Sequence, residues 1–194
     1  MKIYLIRHGQ TEANAKGVYL GQSETSLTSK GEQQTAKIIE YLRMVNIDKI
    51  YTSPSNRCKI IADAFDAQIP IIVTEGLLEE NFGIFEGLTW QQAKELYPEE
   101  WKRWCSDFSY KIPDGESFME FYKRIVNAFN KITEDESHDI AVITHAGPIR
   151  AILSHVVCGT HDAFWRFKVD NGSISVIDVV DGYAVIEKFN FDFK

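Results

Sequence analysis

Cysteine is scarce in this 194-residue chain: there are three, Cys58, Cys105 and Cys158, an odd number at wide spacings. That pattern excludes a disulfide framework and a CxxC metal site, and it fits a reducing, cytoplasmic setting. Proline (5) and glycine (12) are too few for a low-complexity or collagen-like chain. Positive charge is also short. Lys and Arg number 21 against 28 Asp and Glu, a net charge of −7, so no global basic field is available for nucleic acid or an anionic membrane. Long apolar runs are missing at the N-terminus, where Ile3-Tyr4-Leu5-Ile6 is too short for a signal h-region or a membrane span. Any anionic ligand must therefore be met by a local cluster of donors.

What is present is an ordinary globular composition, 44% hydrophobic and 25% charged, of a length that suits a single domain over residues 1–194. Ile3 to Ile6 reads as a strand buried on both faces. Thr28 or Ser29 can N-cap a helix, Ser29 with Glu32 as a capping box, and Ala36, Ile39, Leu42 and Met44/Val45 recur at helical spacing. Ile50 to Thr52 predicts a strand, Asn56 to Phe65 a helix, and Ile69 to Val73 a strand. Later come an amphipathic helix through Phe118, Phe121, Ile125, Phe129 and Ile132, and a buried strand from Ile140 to Thr144. A helix follows with Pro148 at its first position and Ile149, Ile152, Leu153 and Val156 as its core face. Period-two alternation from Ser173 to Val180, a turn at Asp181-Gly182, and a return from Tyr183 to Phe189 predict a hairpin. The expected fold is α/β: a three-layer sandwich with a mostly parallel mixed sheet, helices on both faces, and a small helical lid insertion at about 84–117. That insertion holds short helical patterns at Thr89 to Leu96 and from Pro98 to about Asp107.

Ligands in open α/β sheets lie outside the carboxyl ends of the strands. Arg7-His8 and His145 stand at two such ends, so residues far apart in sequence are expected to converge on one edge. Arg57, in the first turn after the Ile50 strand, is a second guanidinium able to clamp a phosphoryl group bidentately. Glu79 and Glu80 offer a general acid or base, or else lie in a surface loop. His138, His155 and His161 lack the spacing of a metal site, and Arg7 would set a cation beside any ion held by the others.

The string LIRHGQTEAN resembles the signature of the histidine phosphatase superfamily, also called phosphoglycerate-mutase-like. SPSNR, LLEENFGIFEG and VITHAGPIR resemble its second Arg, acid and second His motifs, in the same order. Gln10, Cys58 and Ile61 depart from the usual residues. The resemblance implies that His8 is a nucleophile forming a phosphohistidine, and that Arg7, Asn14, Arg57 and His145 hold the phosphoryl oxygens. It also implies that Glu79, four residues before Gly83, protonates the leaving oxygen; Glu80 lies one step off the motif.

Such a reaction needs His8 as neutral imidazole, whereas His145 binds oxygens better protonated, so the two are expected to titrate apart. Backbone N–H groups of the helix opening at Ala146-Gly147-Pro148 are expected to add donors. No metal and no cofactor is required. The expected partner is a small phosphate ester, not nucleic acid or membrane, with a homodimer left open.

WCSDF, IPDGESF and FWRFKVDNGSISVIDV resemble the alpha-ribazole phosphatase branch of cobalamin biosynthesis, which implies alpha-ribazole 5′-phosphate as substrate. A broad sugar-phosphate or phosphoglycerate phosphatase, a mutase-like enzyme, and a catalytically silent phosphate-binding module are the alternatives. Trp90, Trp101, Trp104, Phe108 and Tyr110 either wall a pocket for a flat heterocycle or pack the insertion onto the sheet.

Overall fold

The structure, a computed structural model, describes residues 1–65 and 69–193. In chain order its elements are β1 (Lys2–Arg7), α1 (Glu12–Lys16), α2 (Ser29–Met44), β2 (Lys49–Thr52), α3 (Asn56–Ala62), β3 (Ile71–Val73), α4 (Trp90–Leu96) and α5 (Pro98–Ser106). There follow α6 (Phe118–Thr133), β4 (Asp139–Thr144), α7 (Ala146–Cys158), β5 (Ile174–Val180) and β6 (Tyr183–Phe191). The six strands form one sheet in the order β3-β2-β4-β1-β5-β6. β1, β2, β3 and β4 pair in parallel, while β5 joins β1 and β6 joins β5 antiparallel. The sheet is mixed and mostly parallel, as expected.

Alternate residues of the central strands feed two different cores, because successive side chains on a strand point to opposite faces. Ile3, Leu5, Ile140 and Val142 pack under α6 and α7 with Phe121, Ile125, Phe129, Ile149 and Ile152. Tyr4, Ile6, Ala141 and Ile143 pack on the other face against Ile38 and Leu42 of α2 and Cys58 and Ile61 of α3. Each fully buried aliphatic or aromatic side chain contributes about 1.5–3 kcal/mol of transfer free energy, so this double burial holds the sheet centre rigid where the histidines leave it. A third, small cluster of Phe85, Ala93 and Ile112 joins α4 and α5 to Tyr19, Phe82, Trp101 and Trp104. No helix among the described residues is long and apolar enough to cross a membrane.

Several local expectations shift. The N-cap of α2 is Thr28, whose side chain accepts from Gly31 N–H, so Ser29 and Glu32 form no capping box. The buried stripe of α2 is Gly31, Thr35, Ile38 and Leu42, not Ala36, Ile39 and Met44, the last being 72% exposed. Gly31 explains the rotation: a Cβ there would run into the backbone of Gln10, so the helix lies directly on the loop after β1. α3 tightens to a 3-10 turn over Asp63–Phe65. β3 is shorter than expected because it begins after Pro70 and forms the sheet edge, with Ile72 and Val73 partly exposed. α7 starts at Ala146, which puts Pro148 third rather than first and leaves Val156 half-buried. The hairpin turn matches its sequence, with Asp181 and Gly182 both at positive φ (51° and 77°), the backbone that suits a two-residue connection.

The polar segment after Gly9 contains an element that apolar periodicity could not reveal. Thr11 and Asn14 form a capping box that starts the five-residue α1. Capping boxes also open α4, through Thr89 and Gln92, and α6, through Ser117 and Glu120.

Candidate active site

β1 and β4 are adjacent and parallel, so the residues after them emerge side by side: His8 follows Arg7, and His145 follows Thr144. The two imidazole rings stand 5.1 Å apart at 69°. Both are sealed from solvent, at 3% and 1% exposure. His8 Nδ1 lies 2.7 Å from the carbonyl of Gly9. A carbonyl only accepts, so Nδ1 carries the proton and Nε2 keeps its lone pair. Gly9 is required at this point, because a Cβ there would strike the carbonyl of Gly31.

Arg57 crosses from the first turn of α3. Its Nε–H donates to His145 Nδ1 at 3.2 Å, while its terminal nitrogens donate to the carbonyls of Ser23 (2.9 Å) and Gly21 (2.6 Å). His145 Nδ1 is therefore an acceptor, and the ring proton sits on Nε2, 2.9 Å from Ser53 Oγ. Arg7 donates from Nη1 to the carbonyl of Val169 at 2.6 Å, and its buried Nε finds no partner among the described residues. An unpaired buried N–H costs about 1–3 kcal/mol, a cost that a bound anion removes. Burial lowers the Arg7 pKa to about 10, which still leaves it charged at neutral pH.

Burial, followed by the charges of Arg7 and Arg57, holds His8 well below the usual imidazole range. His145 is held low as well, by burial, then Arg57, His8 and Arg7. The expectation that His145 is a cation beside a neutral His8 is thus corrected: without ligand both are neutral. The physical reason is burial first, to which two guanidinium charges already in the site add by disfavouring a third.

Glu79 arrives on the loop after β3. Its carboxylate accepts from Gly147 N–H (Oε2, 3.0 Å) and from its own neighbour Glu80 N–H (Oε1, 3.0 Å). Burial raises its pKa above the ordinary carboxyl value, against the opposing pull of those two N–H groups, Arg7 and Arg57. The bond to Gly147 revises the role expected of the α7 N-terminus. Gly147 N–H is taken by Glu79 and Pro148 has none, which leaves Ala146 N–H as the open donor of that first turn. Asn14 is held on one side only: its Oδ1 accepts from Thr11 N–H (3.2 Å) and from Asn171 Nδ2 (2.9 Å), so its own amide NH2 is the part free in character to donate.

Glu80 is also buried, but it faces elsewhere. Its Oε1 accepts from Trp104 Nε1–H at 3.3 Å. The Glu79 loop is gripped from below by Arg124 of α6, whose nitrogens donate to the carbonyls of Leu78 (2.9 Å) and Glu79 (3.2 Å) and pair with Glu116 at 2.6 Å. Ser53, Arg124 and Glu116 were not singled out from sequence. An arginine on the apolar face of α6, between Phe121 and Ile125, was the available signal for Arg124.

Of the five insertion aromatics, Trp104 and Phe108 line a cavity of about 250 Å³ together with Tyr19, Glu80, Cys105, Phe118 and Trp165. The packing alternative holds for Trp101, which lies on Phe85 behind Trp104. Trp90 is 52% exposed and away from this cavity, and Tyr110 stacks under Arg103 at 4.2 Å. Among the described residues no group of three His, Cys, Asp or Glu side chains is arranged to hold a metal ion.

Residues 3–192 match the family model of the histidine phosphatase superfamily (branch 1). The adenosylcobalamin/alpha-ribazole phosphatase of Escherichia coli is 30% identical over 98% of this chain and 96% of its own. Phosphoserine phosphatase 1 of Hydrogenobacter thermophilus is 28% identical over 98% of this chain and 92% of its own. The crystal structure of the alpha-ribazole phosphatase from Shigella flexneri superposes with a TM-score of 0.90 at 29% identity, covering 98% and 96% of the two chains. Because the family pattern and these relatives run through nearly the whole length, the chain belongs to the histidine phosphatase superfamily, and it is a phosphomonoesterase.

Proposed function

We propose that this enzyme hydrolyses alpha-ribazole 5′-phosphate through a phosphohistidine on His8, as one domain whose 84–117 insertion acts as a lid, working in the cytoplasm. The observation that carries the mechanism is the bond from His8 Nδ1 to the Gly9 carbonyl, which leaves Nε2 as the attacking nitrogen. In the first step Nε2 bonds to phosphorus as the ester P–O bond breaks, and the leaving oxygen takes the proton of Glu79. Water then attacks phosphorus, Glu79 takes back a proton, the P–N bond breaks, and inorganic phosphate leaves.

Charge on the equatorial oxygens of this loose transition state is met by Arg7, Arg57, Asn14, Ala146 N–H and His145. The dianion favours a proton on His145 Nδ1, which releases Arg57 Nε toward the phosphoryl group. The identities and coverage of the alpha-ribazole phosphatases support this substrate, as does the aromatic cavity beside the acid loop. The phosphoserine phosphatase relative supports a second reading, a phosphatase of small phosphorylated metabolites.

Purified protein tests the two. On the first reading, kcat/KM for alpha-ribazole 5′-phosphate exceeds that for phosphoserine, 3-phosphoglycerate and glucose 6-phosphate, and EDTA leaves turnover intact while vanadate competes with substrate. Equal rates across the panel return the enzyme to the broader class. Gly147→Ala tests the placing of the acid. The added Cβ collides with Glu79 Oε1 and approaches Phe121 Cζ to 2.9 Å. Misplacing a reacting group by an ångström costs about 10²-fold in rate, so alkyl esters lose that much, and esters with good leaving groups much less. Uniform loss on both would contradict the assignment.

A further inference from the structure

Glu80 lies in a position that phosphoryl transfer leaves unused. It is 4% exposed and lines the cavity of about 250 Å³ walled by Tyr19, Trp104, Phe108, Phe118 and Trp165. Glu80 follows Glu79 directly, so one short loop carries the first carboxyl to the histidine site and the second to this cavity. At its mouth Trp165 is 65% exposed and Phe108 43%, large aromatic surfaces of the kind that mark a ligand site. Glu80 Oε1 is occupied by Trp104 Nε1–H. Among the described residues no hydrogen bond reaches Oε2, and no cationic side chain pairs with Glu80.

The groups facing Glu80 from each neighbouring element favour its neutral form. Burial is the largest influence, Glu79 on its own loop and Glu116 ahead of α6 add to it, and Trp104 and Arg124 oppose it. Together they raise its pKa to about 8. Tyr19 is pushed up to about 12 and the Cys105 thiol is pushed up by burial, so neither contributes an anion near neutrality. In the protonated carboxyl, Oε1 accepts from the indole as the carbonyl oxygen, which leaves the O–H on Oε2 of a residue that lines the cavity. A neutral carboxylic acid kept as a donor in an apolar pocket is a known device of enzyme sites.

We infer that Glu80 determines specificity, its carboxyl O–H donating from Oε2 to the acceptor nitrogen of a flat bicyclic heterocycle seated among Tyr19, Trp104, Phe108 and Trp165. The inference rests on the alpha-ribazole reading above, because the benzimidazole of that substrate has one ring nitrogen in the glycosidic bond and a second with a free lone pair.

Three substrates separate the two claims: alpha-ribazole 5′-phosphate, its indole counterpart with C–H in place of the acceptor nitrogen, and ribose 5-phosphate with no base. The wild-type enzyme is expected to prefer both bicyclic esters over ribose 5-phosphate, and the benzimidazole over the indole by about tenfold, the scale of one buried hydrogen bond. Glu80→Leu reduces the benzimidazole-to-indole ratio to about one and retains the preference of both over ribose 5-phosphate. Glu80→Gln, which still donates, keeps the ratio. In the wild type the ratio declines as the pH rises past about 8, where Glu80 loses its proton; in Glu80→Gln it is flat. A benzimidazole preference that survives in Glu80→Leu overturns the inference while leaving the substrate reading intact. Absence of any preference over ribose 5-phosphate in the wild type overturns both. Because these are ratios within one preparation, partial misfolding of a variant cancels, and a proton-donor role for Glu80 would lower all three esters alike.

Discussion

Replacement of His8 by alanine is expected to reduce turnover of every phosphate ester to background. In the proposed mechanism the imidazole forms the covalent bond to phosphorus, and His145 is not set up to replace it, with Nδ1 accepting from Arg57 and its Nε2 proton directed to Ser53. Brief reaction of the wild type with labelled substrate should trap an acid-labile, base-stable phosphoenzyme, and the variant should trap none. An acid-stable label, or activity retained in the variant, would remove the phosphohistidine from the mechanism. The same structure sets the acid limb of the pH profile. His8 attacks only when neutral, and burial with Arg7 and Arg57 keeps it neutral well below the ordinary imidazole range. The enzyme should therefore hold its rate as the pH falls through that range, instead of losing it as a solvent-exposed histidine would.

Glu79→Gln is expected to lower kcat by ~10²–10⁴, the usual contribution of general acid catalysis. The amide still accepts a hydrogen bond from Gly147 but has no acidic proton to give the leaving oxygen. Loss should therefore grade with the leaving group, large for an alkoxide and small for p-nitrophenolate, which departs without protonation. Glu80→Gln should lose much less, because its carboxyl faces Trp104 and the cavity while that of Glu79 faces Gly147. The reverse order would move the acid by one residue. Protonation of Glu79 is favoured by its burial, so the rate on alkyl esters should fall as the pH rises through that raised value. The variant should lose this basic limb.

The convergence of Arg7, His8 and His145 on one sheet edge was readable because strands follow a simple rule. The runs Ile3 to Ile6 and Ile140 to Thr144 are apolar on both alternations, which is the mark of central parallel strands. Polar residues placed directly after two such runs must emerge at one edge if the strands are parallel, and β1 and β4 are neighbours in register. Arg57 was legible for the same reason, standing one turn after β2. The hairpin was legible from period two and Asp181-Gly182.

Less could be read where position depends on which distant surface a residue meets. The rotation of α2 is set by Gly31 packing on the backbone of Gln10, a contact that hydrophobic periodicity does not encode. The partners that orient Asn14 could not be read: its carbonyl oxygen accepts from Thr11 and from Asn171, 157 residues away, which leaves the amide NH2 as the donor.

Charge state was the hardest to foresee. His145 was expected to bind oxygens as a cation, but folding buries it against Arg57 and beside His8, and in the unliganded protein desolvation, followed by like charge, holds its pKa low. The adjacent glutamates differ only in three dimensions: one meets the first turn of α7 and the other an indole from α5. Residue type and strand-end position are properties of the local chain and survive in the sequence. Burial, protonation and the direction of a side chain are sums over contacts between remote segments, and they exist only once those segments have packed.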